Sequence, residues 1–344
     1  MTSSLVGSEM CIRDRYYIIK NDEVFDSIVP ILEDKVREGV EVRILYDGMG
    51  GRFMPKRRWE ELRRAGILVG VFFPPILGWL NLRVNYRNHR KIVVIDGNVG
   101  FVGGFNIGRE YISKDPGFGY WRDTHLRITG EAVMSLQIRF ALDWNYATGE
   151  NLFKNEAYFR TDLKKKTDVR RDKERPAWPD PELEGSQVGM QIIASGPDTR
   201  EPHIRNNYLE LFHKAKHHIY IQTPYFVPDD AIFSALKMAA LSGVDVRLMI
   251  PCKPDHPFVY RATCSYAGEL LDYGAKVYIY TNGFLHSKGI MVDGRVCCYG
   301  TANMDIRSFE LNFEVNATIY DEAVTAELEQ AFICLLYTSP SPRD

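Results

Sequence analysis

Two copies of one short pattern carry the residues in this sequence that are best suited to chemistry. The pattern is a histidine, a lysine two positions later, an aspartate five positions after the lysine, and an asparagine 17 positions after the histidine. An imidazole can act as nucleophile, acid or base because its ordinary pKa is about 6.5. Ammonium and carboxamide groups bind anionic oxygens. The two copies consist of His89, Lys91, Asp96 and Asn106, and of His286, Lys288, Asp293 and Asn303.

If the two copies face one pocket, their combined side chains suit a phosphodiester. The lysines and asparagines can hold the non-bridging oxygens, and one neutral imidazole can attack phosphorus. The other imidazole, when protonated, can donate to the leaving alkoxide and then act as the base for an incoming hydroxyl. This chemistry needs no metal ion and no other cofactor, and no carboxylate cluster typical of a Mg²⁺ site stands beside the motifs.

Other segments of the sequence also repeat, which argues against a chance match between the two copies of the motif. The segment 39–45 recurs at 243–249 and the segment 61–66 recurs at 269–274, in the same order as the histidine motifs. Several matches in register indicate a duplicated unit. On a strand, a histidine and a lysine two positions apart share one face, and a hairpin then returns the asparagine beside them.

The hydrophobic pattern predicts alternating helices and strands in each copy. Residues 40–46 and 244–250 are short apolar runs typical of buried strands, and the helical stretches 23–38 and 229–241 precede them. Asp-Gly-Asn at 96–98 is a hairpin signal. We therefore expect an α/β protein of two similar domains, each a mixed, mostly parallel β-sheet flanked by helices, related by a pseudo-twofold axis.

Length and charge agree with two ordinary domains. The chain has 344 residues, and its 43 basic and 45 acidic residues give a formal charge of −2, which does not favour a nucleic-acid partner. We place the first catalytic half at 16–150, a linker at 151–187 and the second half at 188–333. The strand and helix patterns at 190–194 and 201–215 have no counterpart in the first half.

The two chain ends, 1–15 and 334–344, are interpreted as translated sequencing-adapter DNA. One back-translation of 334–344, read on the opposite strand, encodes residues 5–14 letter for letter. We therefore exclude both ends from the fold prediction. We expect the native gene to continue in both directions, so that the first half has lost its opening strand and helix and the second half is cut at its end.

The motifs resemble those of the phospholipase D superfamily. Longer phrases around them resemble the family of bacterial cardiolipin synthases, and the similarity extends from about residue 16 to residue 332. Members of that family usually carry two transmembrane helices before the first catalytic domain. The phrases that carry the resemblance are Asn88–Asp96, Phe101–Gly108, Gly119–His125 and Gly300–Glu314.

The resemblance implies a transesterification between two phosphatidylglycerol molecules through a phosphatidyl-histidine intermediate. By similarity His89 is the nucleophile and His286 the general acid and base, although the two can be exchanged. The lysines and asparagines of both motifs would bind phosphate. Asp123 and Glu314 match the carboxylates that orient the two imidazoles.

Two further expectations concern residues in and around the motifs. Asp96 and Asp293 are counted with the catalytic motif, but they are expected to anchor it rather than to transfer protons. Gly104 stands where many members of the superfamily have serine.

The resemblance also implies a place of action, an anionic membrane surface. The parent protein is expected at the bacterial cell membrane, with its active domains facing the cytoplasm. The apolar segment 71–82 fits either docking at a membrane interface or burial. The alternatives are a phospholipase D-type hydrolase or a phosphodiester nuclease of the same superfamily. A non-enzymatic lipid-binding protein is disfavoured because both motifs are intact, and the oligomeric state is left open.

Overall fold

The computed structural model describes residues 11–74, 85–159 and 187–338. Within these ranges the first half contains strands β1 Cys11–Tyr16, β2 Glu41–Asp47, β3 Leu68–Phe72, β4 Arg87–Asn88, β5 Ile92–Ile95, β6 Val99–Gly103, β7 Trp121–Arg122 and β8 His125–Thr129. Its α-helices are α1 Glu23–Arg37, α2 Lys56–Arg64 and α3 Ala132–Thr148.

The second half repeats this series after an additional strand and helix. Its described strands are β9 Gly189–Ser195, β10 His218–Gln222, β11 Phe226–Val227, β12 Asp245–Pro251, β13 Lys276–Tyr280, β14 Phe284–Leu285, β15 Gly289–Val292, β16 Val296–Gly300, β17 Met304–Asp305 and β18 Asn312–Tyr320. Its described helices are α4 His203–Lys214, α5 Asp230–Leu241, α6 Pro257–Leu271, α7 Ile306–Glu310 and α8 Glu322–Thr338.

Each half forms one mixed sheet, and the two sheets have matching strand orders. The first runs β3-β2-β1-β5-β6-β8 and the second runs β13-β12-β10-β15-β16-β18, with β9 added beyond β18. The first three strands of each sheet are parallel, and the hairpin strands join them in antiparallel pairs. The duplication expected from sequence is therefore present in the topology, as is the mixed sheet.

An apolar layer joins the two sheets face to face. Ile92, Val94 and Val102 from the first sheet pack in one buried cluster with Val315 and Ala317 from the second. The outer face of each sheet is covered by the helices of its own half, which bury separate cores. This arrangement brings the same end of both sheets together, and that end carries the two histidine motifs.

Strand β1 lies at the centre of the first sheet, in residues that were excluded from the fold prediction. Ile12 pairs with Val42 of β2 and with Ile95 of β5, so β1 takes the place that β10 holds in the second sheet. The boundary at residue 16 therefore falls at the end of a strand, and α8 likewise runs past the boundary at 334. Among the described residues, the first half has no counterpart of β9 and α4.

The side chains of β1 fit their buried positions poorly. Arg13, Asp14 and Arg15 are each at most 2% exposed, and each leaves at least one buried side-chain atom without a hydrogen-bond partner. Asp14 lies opposite Ile44, and the equivalent residue in β10 is the fully buried Ile221. Burial raises the pKa of Asp14 to about 7. An apolar residue is therefore the better match for this site.

We expect Asp14→Ile to raise the free energy of unfolding by about 4 kcal/mol at pH 8 and by about half as much at pH 5. The folded chain holds the Asp14 proton up to about pH 7, whereas the unfolded chain loses it near pH 4. Stability of the unchanged chain therefore falls as the pH rises through this window. Urea denaturation at both pH values measures the difference, with Asp14→Asn as a control that removes the charge alone. An equal gain at both pH values would contradict this account.

No helix in the described ranges combines the length and apolarity that crossing a bilayer requires.

Candidate active site

Each histidine follows a two-residue strand that pairs with the other half of the chain. Strand β4 pairs in parallel with the start of β18, and β14 pairs in parallel with β7. The backbone N–H of His89 donates to the carbonyl of Phe313 at 2.9 Å, and that of His286 donates to the carbonyl of Arg122 at 2.7 Å. Both motifs are therefore anchored across the boundary between the halves, in a nearly symmetric way.

A carboxylate from the opposite half binds each imidazole. His89 Nδ1 lies 2.9 and 3.0 Å from the two carboxylate oxygens of Glu314, and His286 Nδ1 lies 2.6 Å from Asp123 Oδ2. An ionised carboxylate only accepts, so each Nδ1 carries the proton and each Nε2 presents its lone pair away from the carboxylate. For each of these two active-site pairs, one half of the chain supplies the histidine and the other half supplies the carboxylate.

Neighbouring groups hold both carboxylates in place. The hydroxyl of Thr301 donates to Glu314 Oε2 at 2.5 Å, and the amide of Asn312 donates to Oε1 at 3.3 Å. The backbone N–H of Thr124 donates to Asp123 Oδ1 at 2.8 Å. Such partners fix the direction in which a carboxylate presents its charge.

The same carboxylates are ionised in spite of their burial. Burial raises the pKa of Glu314, but the charge of His89 and the hydrogen bond from its ring outweigh this effect and lower the pKa below its ordinary value. Burial likewise raises the pKa of Asp123, and the charges of His286 and Lys288 outweigh it. Both carboxylates can therefore stabilise an imidazolium.

The two lysines of the motifs are buried beside the histidines. Lys91 Nζ donates to the backbone carbonyl of His89 at 2.7 Å, and Lys288 Nζ donates to the carbonyl of His286. Burial lowers the pKa of Lys91 well below its ordinary value, and it lowers the pKa of Lys288 to about 8. Positive charge is therefore crowded into this pocket, and a bound anion would relieve the crowding.

Burial disfavours the charged form of both imidazoles in the ligand-free protein. Burial lowers the pKa of His89 to about 4, and it lowers the pKa of His286 to about 4 as well. The charge of Lys288 adds to the effect at His89, and the charge of Lys91 adds to it at His286. The charged groups of the two copies therefore act on each other within one pocket.

The structure places the two asparagines differently. Asn106 accepts from the N–H of Ile18 at 3.0 Å and donates to the hydroxyl of Tyr111 at 2.8 Å, which leaves one amide hydrogen for another partner. Asn303 is 4% exposed, and its Oδ1 has no hydrogen-bond partner.

Asp96 and Asp293 lie at the far ends of the hairpins from the histidines. Asp96 Oδ1 accepts from the backbone N–H of Cys11 at 2.7 Å. Asp293 accepts from the N–H groups of Lys216, His217 and His218 at 2.7–2.8 Å. Both aspartates hold the hairpin turn against the start of the neighbouring strand. A whole strand separates each aspartate from the histidine of its motif, and the counting of both with the catalytic motif stays a prediction.

Several residues that shape the site were not identified from sequence. Tyr17 presents its ring edge-on to His89 at 5.1 Å between centroids, and Trp121 lies 4.8 Å from His286. Neither belongs to the duplicated motif, and only the position of Trp121 two residues before Asp123 could have marked it.

Arg90, the residue between the histidine and the lysine of the first motif, was also missed. It is 1% exposed and forms two hydrogen bonds, at 2.8 and 2.9 Å, with the carboxylate of Asp143. It also donates to the backbone carbonyls of Glu314 and Ser195, each at 2.9 Å. Arg90 therefore fixes the strand that carries the carboxylate partner of His89.

Gly104 leaves the space that Asp123 occupies. A Cβ atom at this position would lie 2.1 Å from Asp123 Oδ1. The equivalent residue in the second half is Thr301, whose hydroxyl instead binds the longer Glu314 side chain. Gly104, which stands where many members of the superfamily have serine, thus accompanies Asp123, whose side chain is shorter than that of Glu314.

We expect Gly104→Ala to lower the turnover rate roughly 10- to 100-fold, because the added methyl group displaces Asp123 from His286. Assay of phosphodiester turnover, with circular dichroism to verify folding, measures the effect. Gly268→Ala is the matched control, since a Cβ there meets nothing within 4 Å. Equal activity of the two variants would show that the Asp123 position is not critical.

Two similar α/β halves that jointly build one pocket, each supplying a histidine and a lysine, define a protein of the phospholipase D superfamily. The family described as "Cardiolipin synthase, PLD-like domain" matches residues 13–119 and 208–336. The chain belongs to this family.

Individual relatives agree with that assignment. The chain is 48% identical over 318 residues to a cardiolipin synthase of Oceanobacillus iheyensis, covering 92% of this chain and 62% of that protein. It is 51% identical over 320 residues to a cardiolipin synthase of Staphylococcus aureus, covering 93% of this chain and 61% of that protein. The chain therefore spans about three-fifths of the length of these relatives.

A solved structure shares the fold. Phosphatidylserine synthase of Haemophilus influenzae superposes with a TM-score of 0.70 at 17% identity, covering 96% of this chain and 82% of that one. At this identity the likeness concerns the fold alone.

Proposed function

We propose that this chain transfers a phosphatidyl group between two phosphatidylglycerol molecules, giving cardiolipin and glycerol. The observation that carries the proposal is the pair of imidazoles in one pocket, each bound through Nδ1 to a carboxylate of the opposite half. Two lysines beside them supply the positive charge that a phosphodiester requires. The cardiolipin synthase relatives support the choice of lipid.

The first half-reaction forms a covalent intermediate. Nε2 of one imidazole, by similarity His89, attacks phosphorus while the phosphorus–oxygen bond to the glycerol leaving group breaks. The second imidazole, by similarity His286, enters this step protonated and gives its proton to the departing glycerol oxygen. The bound phosphodiester raises the pKa of the imidazoles from the low values of the empty pocket, and Asp123 stabilises the imidazolium.

The second half-reaction reverses these roles. The neutral second imidazole takes the proton from a glycerol hydroxyl of another phosphatidylglycerol, and that oxygen attacks phosphorus. The phosphorus–nitrogen bond breaks, which restores the first imidazole and releases cardiolipin. Throughout, Lys91, Lys288, Asn106 and Asn303 hold the non-bridging oxygens.

We further propose that the segments 16–150 and 188–333 act as two halves of one catalytic unit, joined by the linker 151–187. The reaction takes place at an anionic surface of the bacterial cell membrane, on its cytoplasmic side. Most of the segment 71–82, which fits interfacial docking, and most of the linker 151–187 lie outside the described residues.

Incubation of the chain with phosphatidylglycerol vesicles tests the proposal. Glycerol release together with cardiolipin is the expected result. Glycerol release with phosphatidic acid alone would identify a hydrolase, and release of nucleotides from DNA in place of lipid turnover would identify a nuclease. An absence of glycerol release would contradict phosphatidyl transfer altogether.

A further inference from the structure

Three arginines lie near Tyr17, the tyrosine whose ring contacts His89. The Tyr17 ring lies 5.1 Å from the His89 ring, and Lys91 Nζ lies 5.6 Å from the centre of the Tyr17 ring. Burial raises the pKa of Tyr17, and the charges of Arg87, Arg307 and Arg52 act against this effect, which places the three guanidinium groups near its side chain. None of the three belongs to the duplicated motif, and the reaction at phosphorus described above does not use them.

Arg87 stands at a defined distance from the reacting histidine. It lies two residues before His89 in an extended segment paired with β18, so the two side chains leave the same face about 6.6 Å apart. The Arg87 side chain is held by a hydrogen bond from Nη1 to the carbonyl of Tyr86 at 2.8 Å. The Arg87 side chain is therefore placed beside the position proposed for the phosphorus atom that His89 attacks.

The other two arginines approach from different parts of the chain. Arg307 comes from α7 of the second half, and its Nη2 donates to the carbonyl of Asn85 at 2.8 Å, close to Arg87. Arg52 lies two residues after Gly50, whose backbone packs against that of Tyr17. A Cβ atom at Gly50 would lie 1.8 Å from the Tyr17 carbonyl oxygen, so this packing requires glycine.

Few hydrogen bonds tie this cluster to the rest of the protein. Arg87 and Arg307 make only the backbone hydrogen bonds described, and the Arg52 guanidinium lies over the ring of Phe53 at 4.5 Å. In the part of the chain that the structure describes, none of the three forms an ion pair with a carboxylate.

Two acidic side chains, Asp47 near Arg87 and Asp305 near Arg307, form no ion pair with the cluster. Asp47 uses its carboxylate oxygens to accept from the backbone N–H groups of Met49, Gly50 and Asn88 at 2.9–3.1 Å. The three guanidinium groups therefore remain available to bind an anion. Arginine is the side chain best suited to bind a phosphodiester through paired hydrogen bonds.

We propose that Arg52, Arg87 and Arg307 bind the phosphodiester of the acceptor lipid while its glycerol hydroxyl attacks the phosphatidyl-histidine. This inference rests on the proposed function and adds the acceptor site to it. Three carbons of the glycerol headgroup separate the attacking oxygen from the oxygen on the acceptor's own phosphorus. With bonds of about 1.5 Å this places the two phosphorus atoms about 6–7 Å apart, which is close to the backbone spacing between Arg87 and His89.

The acceptor site explains how transfer to lipid can prevail over hydrolysis. Water and simple alcohols carry no phosphate, so they gain nothing from the arginines, whereas phosphatidylglycerol is held with its hydroxyl near the intermediate. This cluster would then decide which acceptor reacts. The two histidine motifs, which resemble those of the whole superfamily, would not.

Competition between two acceptors tests the inference. The chain is incubated with phosphatidylglycerol vesicles and ethanol, and the ratio of cardiolipin to phosphatidylethanol is measured. We expect Arg52→Gln and Arg307→Gln each to lower this ratio at least tenfold, and the double variant to lower it further. Both side chains are exposed, so these changes leave the core intact. Arg57→Gln, at a residue 82% exposed on α2, is the control for loss of one positive charge.

A water-soluble acceptor separates headgroup binding from attraction to the membrane. If the arginines bind the headgroup phosphate, transfer to glycerophosphoglycerol falls in the same variants. A loss confined to vesicle-bound acceptor, or an unchanged ratio, would overturn the inference. If the unchanged chain forms phosphatidylethanol but no cardiolipin, the proposed function itself fails, which is a distinguishable outcome.

Discussion

His89→Ala and His286→Ala are each expected to reduce cardiolipin formation by roughly 10⁴-fold or more while the protein stays folded. One variant lacks the atom that bonds to phosphorus, and the other lacks the proton donor and acceptor. The two imidazole side chains are 13% and 10% exposed and reach the pocket, so their removal enlarges that pocket. Radiolabelled phosphatidylglycerol turnover measures the loss, and circular dichroism verifies the fold.

The same two variants can distinguish nucleophile from acid. A substrate with a nitrophenol leaving group needs little protonation, so the variant lacking the general acid should regain release of nitrophenol, whereas the variant lacking the nucleophile should not. His213→Ala, at an exposed residue of α4, is the control and should behave like the unchanged chain. Cardiolipin formation by either active-site variant at more than a few per cent of the original rate would refute the assigned chemistry.

Glu314→Gln and Asp123→Asn are expected to lower the rate roughly 10³- to 10⁴-fold. An amide of the same shape cannot stabilise the imidazolium, and it can also turn the ring to the wrong tautomer. Because the carboxylates serve different histidines but one reaction, the double variant should lose less than the product of the single losses.

A nearby exposed carboxylate provides the control for these variants. Glu310→Gln changes a charge on α7 outside the pocket and should leave turnover within about twofold, as is usual for an exposed surface position. If Glu314→Gln and Glu310→Gln behaved alike, the cross-half pairing of imidazole and carboxylate would have no role in the reaction.

Much of the architecture was predictable because the duplication is visible in the sequence. The repeated segments before the motifs became β2 and β12, and the equal spacing from histidine to asparagine reflects equal hairpins, β5–β6 and β15–β16. Spacing alone could not show that each carboxylate serves the histidine of the other half. That exchange depends on how β4 and β14 cross between the sheets, which is a property of tertiary packing.

Other features were hidden for specific physical reasons. Residues 1–15 were left out of the fold prediction because they match translated adapter DNA, and Arg13, Asp14 and Arg15 do not resemble a buried strand. Arg90 occupies the variable position of the motif and points to the opposite face from His89, where it meets Asp143. Its role follows from three-dimensional contacts with β9 and β18.

The stoichiometry of the covalent intermediate tests the central claim most directly. The chain is mixed with labelled phosphatidylglycerol, quenched within one turnover, and digested for mass spectrometry. A single shared pocket predicts at most one phosphatidyl group per chain, attached to either His89 or His286 and absent when that histidine is replaced. Two labelled histidines on the same chain would show two separate sites, and turnover without any labelled histidine would show a different reaction path.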